Sequence, residues 1–277
     1  MFYFDNWDRF CEFIKKSNIA TCTAEESLTI PKDRRFIVFK HDVEGNVPKA
    51  LKLAEIEHLH GIRGSYYVQA YLIEDPANVS ILKKMKELGH EISYHYDVLD
   101  ANSGDFVKAE KDFAYWLKKF KDNGFVFKTI CQHGNPIKKR VGYTSNRDFF
   151  RNEGIKTKYC QFVDMVVDYS QHLGQRYSYI SDAGYMWKYI TEPETNDLNP
   201  DSATIPIGNF SKLKAFISDS DCSIVLSTHP HRWEESKMKI TCKIGFFKCA
   251  RATAKTLQKI PFAYNILNRF YFLAKKI

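Results

Sequence analysis

Five short polar clusters contain most of the side chains that could do chemistry. They are Lys40-His41-Asp42-Val43-Glu44, residues 90–97 (HEISYHYD), residues 132–136 (QHGNP), residues 181–184 (SDAG) and residues 228–231 (THPH). Four of them contain a histidine and three contain a carboxylate. Imidazoles and carboxylates are the usual ligands of zinc and related divalent cations. The pattern therefore predicts the active site of a metal-dependent enzyme.

Apolar, β-rich runs precede three of these clusters. Residues 35–39 (RFIVF) precede the first cluster, residues 127–131 (FKTIC) the third and residues 223–227 (SIVLS) the fifth. Side chains at the C-terminal ends of neighbouring parallel strands converge on one crevice. We therefore expect the clusters to meet in space.

Asp42 is the candidate metal ligand of the first cluster. Aspartate is also common in exposed turns after strands, which is the alternative interpretation. The neighbouring His41 and Glu44 favour a functional site and are the candidate general bases.

The second cluster contains two histidines with different expected roles. Strand alternation places Ser93 and His95 on one face. His95 lies at the far end of the strand and is a candidate metal ligand, whereas His90 precedes the strand and is expected to be a structural hydrogen-bonding group. Tyr96 and Asp97 are expected to contact a substrate or to orient His95.

The third and fourth clusters are turns. His133 is a candidate metal ligand or substrate-binding residue, and Gly134 lets the backbone approach a ligand closely. Asn135 and Asp182 are candidate substrate-binding residues. An ordinary turn is the alternative for Asp182.

The fifth cluster begins directly after an apolar strand. Pro230 fixes the position of His229, which is the candidate general acid. A capped loop histidine is the alternative interpretation. His231 and Trp233 are candidate substrate-binding residues.

Helical and extended patterns alternate along the first half of the chain. Apolar spacings of three and four predict helices over residues 2–14, from Asn46 or Val47 to Leu59, and over residues 106–120. Alternation with strands indicates parallel βαβ units and an α/β fold. Residues 143–209 are rich in Asn, Asp, Gly and Tyr and are expected to form a long substrate-facing insertion.

Composition places the protein among globular chains. Of 277 residues, 44% are hydrophobic and 27% are charged, which argues against disorder. The seven cysteines have no CxxC spacing, as expected of reduced thiols. The N-terminus lacks the features of a signal peptide, and no apolar run reaches the roughly 20 residues of a spanning helix. We expect a soluble, cytoplasmic protein, or one that lies on a membrane without crossing it.

The C-terminal residues are strongly basic. Residues 236–277 contain ten Lys or Arg and no acidic residue, although the net charge of the whole chain is only +8. We expect residues 1–235 to form the catalytic domain and residues 236–277 a basic amphipathic extension. Within it, residues 244–277 mix aromatic with cationic side chains and are expected to contact the inner membrane surface. Packing on the catalytic domain is the alternative, and nucleic acid is not an expected partner.

Taken together, the clusters resemble those of the NodB-homology polysaccharide deacetylases, in particular the WbmS-type branch of O-antigen and capsule biosynthesis. The resemblance extends from about Phe36 to Trp233. It implies a deformed (β/α) barrel in which one Asp and two His bind a divalent metal, and zinc is the metal that we expect here. It also implies a second Asp as base and a late-strand His as acid.

The resemblance assigns Asp42 to the paired-Asp motif, His95 to the first metal histidine and His229 to the acid. The chain departs from the motif twice. His41-Asp42-Val43 replaces the paired carboxylates, and Leu99 stands where the second metal histidine is expected. Candidates for the missing ligand are His133, which we favour, Asp97 and Asp100.

The expected function is a zinc-dependent N- or O-deacetylase. Its substrate would be a sugar intermediate of surface polysaccharide assembly, on a nucleotide- or lipid-linked glycan. A catalytically degenerate barrel that binds a glycan or a partner protein is one alternative, and a related metal-dependent amidohydrolase is another. The sequence does not indicate an oligomeric state.

Overall fold

The computed structural model describes residues 2–135, 138–199 and 202–246. The α-helices are α1 (Phe4–Ser17), α2 (Ala24–Ser27), α3 (Val47–Leu59), α4 (Pro76–Glu87), α5 (Val98–Ala101), α6 (Phe106–Asp122), α7 (Asp148–Arg151), α8 (Glu153–Lys158), α9 (Tyr169–Leu173) and α10 (Phe210–Asp219). The strands are β1 (Ala20–Cys22), β2 (Phe36–Val43), β3 (Ser65–Gln69), β4 (Glu91–Tyr96), β5 (Thr129–Gln132), β6 (Val163–Asp164), β7 (Tyr177–Ser181), β8 (Trp187–Ile190), β9 (Thr204–Gly208) and β10 (Ser223–Thr228). Short 3₁₀ helices span Ala70–Glu74 and Pro230–Arg232, and a further helix covers residues 237–246.

One large, mostly parallel sheet organises the protein. Its strand order is β6-β5-β4-β3-β2-β10-β7-β8-β9, with β1 paired to the first half of β2. In this order, every neighbouring pair from β6 to β7 is parallel, whereas β8 pairs antiparallel with both β7 and β9. The α/β class is thus confirmed. The strand pairs of the described residues form an open series, so a closed barrel stays a prediction.

The sheet curves around an inner cluster of buried side chains. Strands β2, β5, β6 and β10 all contribute to it, through Val38, Cys131, Val163 and Val225. Helices cover the outer face, where α6 and the aromatic side chains of β4 share a second cluster. This curvature brings the C-terminal ends of distant strands close together.

Three predicted helices are present, and strand β2 is longer than expected. Helices α1, α3 and α6 match their predicted positions. Strand β2 continues to Val43, so most of the first polar cluster lies within the strand rather than in a turn after it. Strand alternation therefore decides which of its side chains face the site.

The expectation that residues 143–209 form a long insertion is wrong. This stretch contains β6 and β7, which extend the parallel series at both sides, and the antiparallel pair β8–β9. Its polar turns concealed short strands, because runs of two to five residues give little periodic signal.

The helix over residues 237–246 packs on the rest of the protein. Ile240 is fully buried, and Lys243 Nζ donates to the carbonyl of His231 and to Glu234, at 2.9 and 2.7 Å. Beyond residue 246 the predicted membrane-contacting segment lies outside the described residues and stays a prediction. In the described part of the chain, no helix is long and apolar enough to cross a membrane.

Candidate active site

Two carboxylates from the end of β2 face the same crevice. Asp42 Oδ2 and Glu44 Oε1 lie 3.9 and 3.8 Å from Nε2 of His229, which follows β10. Glu44 Oε1 is also 3.2 Å from Nε2 of His133, which follows β5. Four of the sequence-predicted residues, Asp42, Glu44, His133 and His229, thus lie close together.

His95 is oriented as a metal-binding imidazole. Its Nδ1 donates to the carbonyl of Cys131 at 3.1 Å, so its Nε2 has a lone pair. This Nε2 is buried, lies 3.9 Å from Glu44 Oε1 and has no hydrogen-bond partner among the described residues. Burial lowers the pKa of His95 below its usual value, which favours the neutral ring. Nε2 of His95 is thus a buried acceptor that no described donor contacts, which is the arrangement expected of a metal ligand.

The surroundings of the two carboxylates favour their ionised forms. Burial by itself raises the pKa of Asp42, but the Lys40 ammonium holds it below its usual value. Burial likewise opposes ionisation of Glu44, and its contact with His133 holds the pKa of Glu44 well below its usual value. Both groups can therefore act as ligand or base near neutral pH.

Asp182 lies beneath His229 and orients it. His229 Nδ1 is 2.7 Å from Asp182 Oδ1, and its backbone N–H donates to Asp182 Oδ2 at 2.9 Å. Arg232 and Thr228 donate to the same carboxylate, at 2.5 and 2.7 Å. Although burial raises it, Arg232 and His229 hold the pKa of Asp182 well below its usual value. A carboxylate on Nδ1 leaves Nε2 of His229 directed at the crevice, as a general acid requires.

Among the described residues, one group of side chains brings three ligand atoms close enough together to hold a metal ion, and a second candidate group overlaps it. Asp42, His95 and Cys131 offer buried ligand atoms that lie within 4.8 Å of one another. Glu44, His95 and His133 form the second group, with Glu44 Oε1 3.9 and 3.2 Å from the two Nε2 atoms. Tetrahedral ligands at about 2.0–2.1 Å from zinc lie about 3.3 Å apart. The distance from Glu44 to His133 is close to this value, whereas the rings of His95 and His133 are 5.3 Å apart.

Lys40 distinguishes the two groups electrostatically. Its ammonium is fully buried and makes an ion pair with Asp42 Oδ1. Burial lowers the pKa of Lys40, but Asp42 outweighs this effect and the pKa stays well above its usual value. Burial also raises the pKa of the Cys131 thiol. The adjacent Lys40 ammonium disfavours a cation between Asp42 and Cys131.

The expectation for His41 is corrected by its position. Alternation turns its side chain to the other face of β2, where Nε2 lies 2.9 Å from Glu57 Oε1 and the ring stacks on Tyr66 at 4.2 Å. Glu57 also accepts from Trp7 Nε1 at 2.9 Å. His41 is completely buried beside Glu57 and Tyr66 and does not reach the crevice.

Tyr96 and Trp233 also face away from the site. The Tyr96 hydroxyl donates to Asp164 at 2.8 Å behind β4. Trp233 is completely buried and donates from Nε1 to Thr228 at 2.9 Å. Both side chains serve the core, so the expectation that they bind substrate is corrected.

The remaining predicted residues lie around the site or beside it. Asp97 precedes α5 and is partly exposed, and Asn135 lies on the turn after His133. The His231 ring is 5.7 Å from that of His229, and burial lowers the pKa of His231 to about 3. His90 is structural, as expected, because its two ring nitrogens bond to Gly64 N–H and to the Ala54 carbonyl.

Three residues of the site were missed by sequence reasoning: Lys40, Cys131 and Arg232. Lys40 could have been found, since a period of two from Asp42 places it on the same face of β2. Cys131 reads as an ordinary apolar strand residue, and Arg232 acts only through its contact with Asp182.

Comparisons of the chain with family models, with characterised proteins and with solved structures gave no significant match.

Proposed function

We propose that the protein is a metal-dependent hydrolase that removes an acyl group, N- or O-acetyl, from a sugar. The observation that supports this proposal is the position of one carboxylate, Glu44, among three imidazoles. His95 and His133 are candidate metal ligands, and His229 is the candidate acid, which Asp182 orients. A metal group, a base and an acid within one crevice suit hydrolysis of an acyl bond.

Glu44, His95 and His133 are the proposed metal ligands. The partner-free Nε2 of His95 and the ionised Glu44 favour this group, and the Lys40 ion pair disfavours the one that contains Asp42 and Cys131. One carboxylate and two imidazoles are a common zinc set, so zinc is the proposed metal. A bound zinc ion would polarise the acyl carbonyl and lower the pKa of a water molecule.

Asp42 and His229 are the proposed base and acid. Lys40 holds Oδ1 of Asp42, and Oδ2, which also accepts from the Ser227 hydroxyl at 3.4 Å, would accept a proton from the attacking water. His229 Nε2 faces the same space and would donate a proton to the departing amine or alcohol. Asp182 stabilises the protonated His229 ring that this donation requires.

The substrate class rests on the resemblance. A sugar intermediate of surface polysaccharide assembly is the proposed substrate, on a nucleotide- or lipid-linked carrier. Two functions compete with this proposal. One is glycan binding by a degenerate barrel without catalysis, and the other is metal-dependent hydrolysis of a different amide.

Acetate release tests the proposal. The zinc-reconstituted protein would be incubated with N-acetylated and O-acetylated nucleotide sugars and with acetylated glycolipid extracts, beside the His229→Ala variant. Release by the wild type that the variant lacks supports an acyl hydrolase. Binding of a glycan without release, in protein that contains stoichiometric zinc, supports the degenerate barrel instead.

A further inference from the structure

His133 differs from the proposed ligand His95 in its support. His95 lies within β4, whereas His133 lies one residue beyond β5 and begins a turn. Its backbone N–H still donates to the Tyr96 carbonyl at 2.7 Å. Past this bond the sheet no longer fixes the chain, so another group must hold the turn if the imidazole is to keep one direction.

Asn146 provides this support from a distant part of the chain. Its side chain is completely buried, and its Nδ2 donates to the His133 carbonyl at 2.9 Å. The same Nδ2 donates to Asp100 Oδ2 at 2.9 Å, and Asn146 Oδ1 accepts from the Asp100 backbone N–H at 2.9 Å. Asn146 is thus held on both sides by one residue of α5.

Asp100 is in turn fixed by a second set of donors. Arg140 binds its two carboxylate oxygens through Nε and a terminal nitrogen, both at 2.8 Å, and Tyr143 donates to Oδ1 at 2.9 Å. Arg140 also donates to the carbonyl of Asn135 at 3.0 Å. The Asp100 carboxylate is therefore fully engaged, and its contacts hold the turn that contains His133.

We propose that Asn146, braced by Asp100, is a positioning residue that aims the His133 imidazole at Glu44. The inference rests on the proposed function, in which His133 is a metal ligand. Buried polar groups behind a ligand fix its orientation, and their loss typically weakens metal binding about 10–100-fold. Asn146 touches no proposed ligand atom, so its effect must pass through the His133 backbone.

Two measurements test the inference. One is the zinc affinity, from competition with a chromophoric chelator, and the other is the visible spectrum of the cobalt-loaded protein. Asn146→Ala is expected to weaken zinc binding about 10–100-fold and to change the cobalt spectrum. Asn146→Asp keeps the size and loses the donor to His133, and it should do the same in a folded protein. Asp197→Ala is the matched control, because Asp197 binds Arg147 and Arg151 of the same segment without touching His133.

A double-mutant cycle separates positioning from general loosening. In the His133→Ala background, Asn146→Ala should cause no further loss of zinc affinity. Additive losses, or an equal loss in Asp197→Ala, would overturn the inference, as would unchanged zinc affinity in both folded Asn146 variants. A wild-type protein that binds no zinc would instead overturn the proposed function and this inference with it.

Discussion

Asp42 and Glu44, which Val43 separates in the chain, both bring a carboxylate oxygen to within 3.9 Å of the same nitrogen of His229. They form a carboxylate pair because residues two apart in a strand share a face. Lys40, two residues earlier, occupies one oxygen of Asp42 but not Glu44. This asymmetry gives the two carboxylates different proposed roles.

Asp42→Asn is expected to retain zinc and to lose about 10²–10⁴-fold in kcat, the usual contribution of a positioned base. Zinc content by elemental analysis and acetate release would be measured on the same preparation. Cys131→Ser is the companion variant and should leave zinc content unchanged. Zinc loss in both variants would show that the metal lies in the Asp42, His95 and Cys131 group.

His229→Ala should likewise retain zinc and lose about 10²–10⁴-fold in kcat. Asp182→Asn should also lower kcat without removing zinc, because the amide no longer stabilises a protonated His229. Steady-state kinetics and metal analysis would check both. If His229→Ala loses its zinc, His229 is a ligand rather than the acid.

His90 is expected to make stability depend on pH. Burial lowers the pKa of His90 below the value of 6.5 for an exposed ring, and Glu57 opposes this shift only in part. Below about pH 6.5 the unfolded chain therefore binds a proton that the folded protein does not, and the free energy of unfolding decreases as the pH is lowered. The limiting slope is about 1.36 kcal/mol per pH unit for one proton.

Urea unfolding of the wild type and His90→Gln between pH 5 and pH 8 would isolate this contribution. The difference in unfolding free energy between the two proteins should shrink as the pH falls from 7.5 towards 5. A difference that is constant over this range would rule out the assigned role of His90.

The basic C-terminal segment is expected to bind anionic membranes, with about 1 kcal/mol from each Lys or Arg near the surface. Truncation after residue 246 retains the buried Ile240 and the contacts of Lys243, so the protein should stay folded. Co-sedimentation with phosphatidylserine vesicles should be salt-sensitive in the full chain and absent after truncation. Equal recovery of both proteins in the supernatant would contradict the expectation.

Much of the fold follows from periodicity, but the pairing of distant strands does not. The apolar spacing of α1, α3 and α6 and the alternation around Ser93 and His95 were sufficient to place these elements. The antiparallel pair β8–β9 was hidden in polar turns, since its stability depends on neighbours that are remote in sequence.

Within the site, residue types were more informative than assigned roles. His95, His133 and His229 meet as expected, because each lies at the C-terminal end of a parallel strand. His41 was misjudged, because a strand end assumed at residue 39 removed the constraint of alternation. The ion pair of Lys40 with Asp42 depends on burial, which a single sequence does not display.

The location of zinc in a crystal of the loaded protein, from anomalous scattering at the zinc edge, is the decisive measurement for the proposed metal site. We predict one zinc ion at about 2.0–2.2 Å from a Glu44 oxygen and from Nε2 of His95 and of His133. Asp42 should remain bound to Lys40 in that crystal. Zinc bonded to Asp42 and the Cys131 sulfur, with His133 directed away, would contradict this prediction.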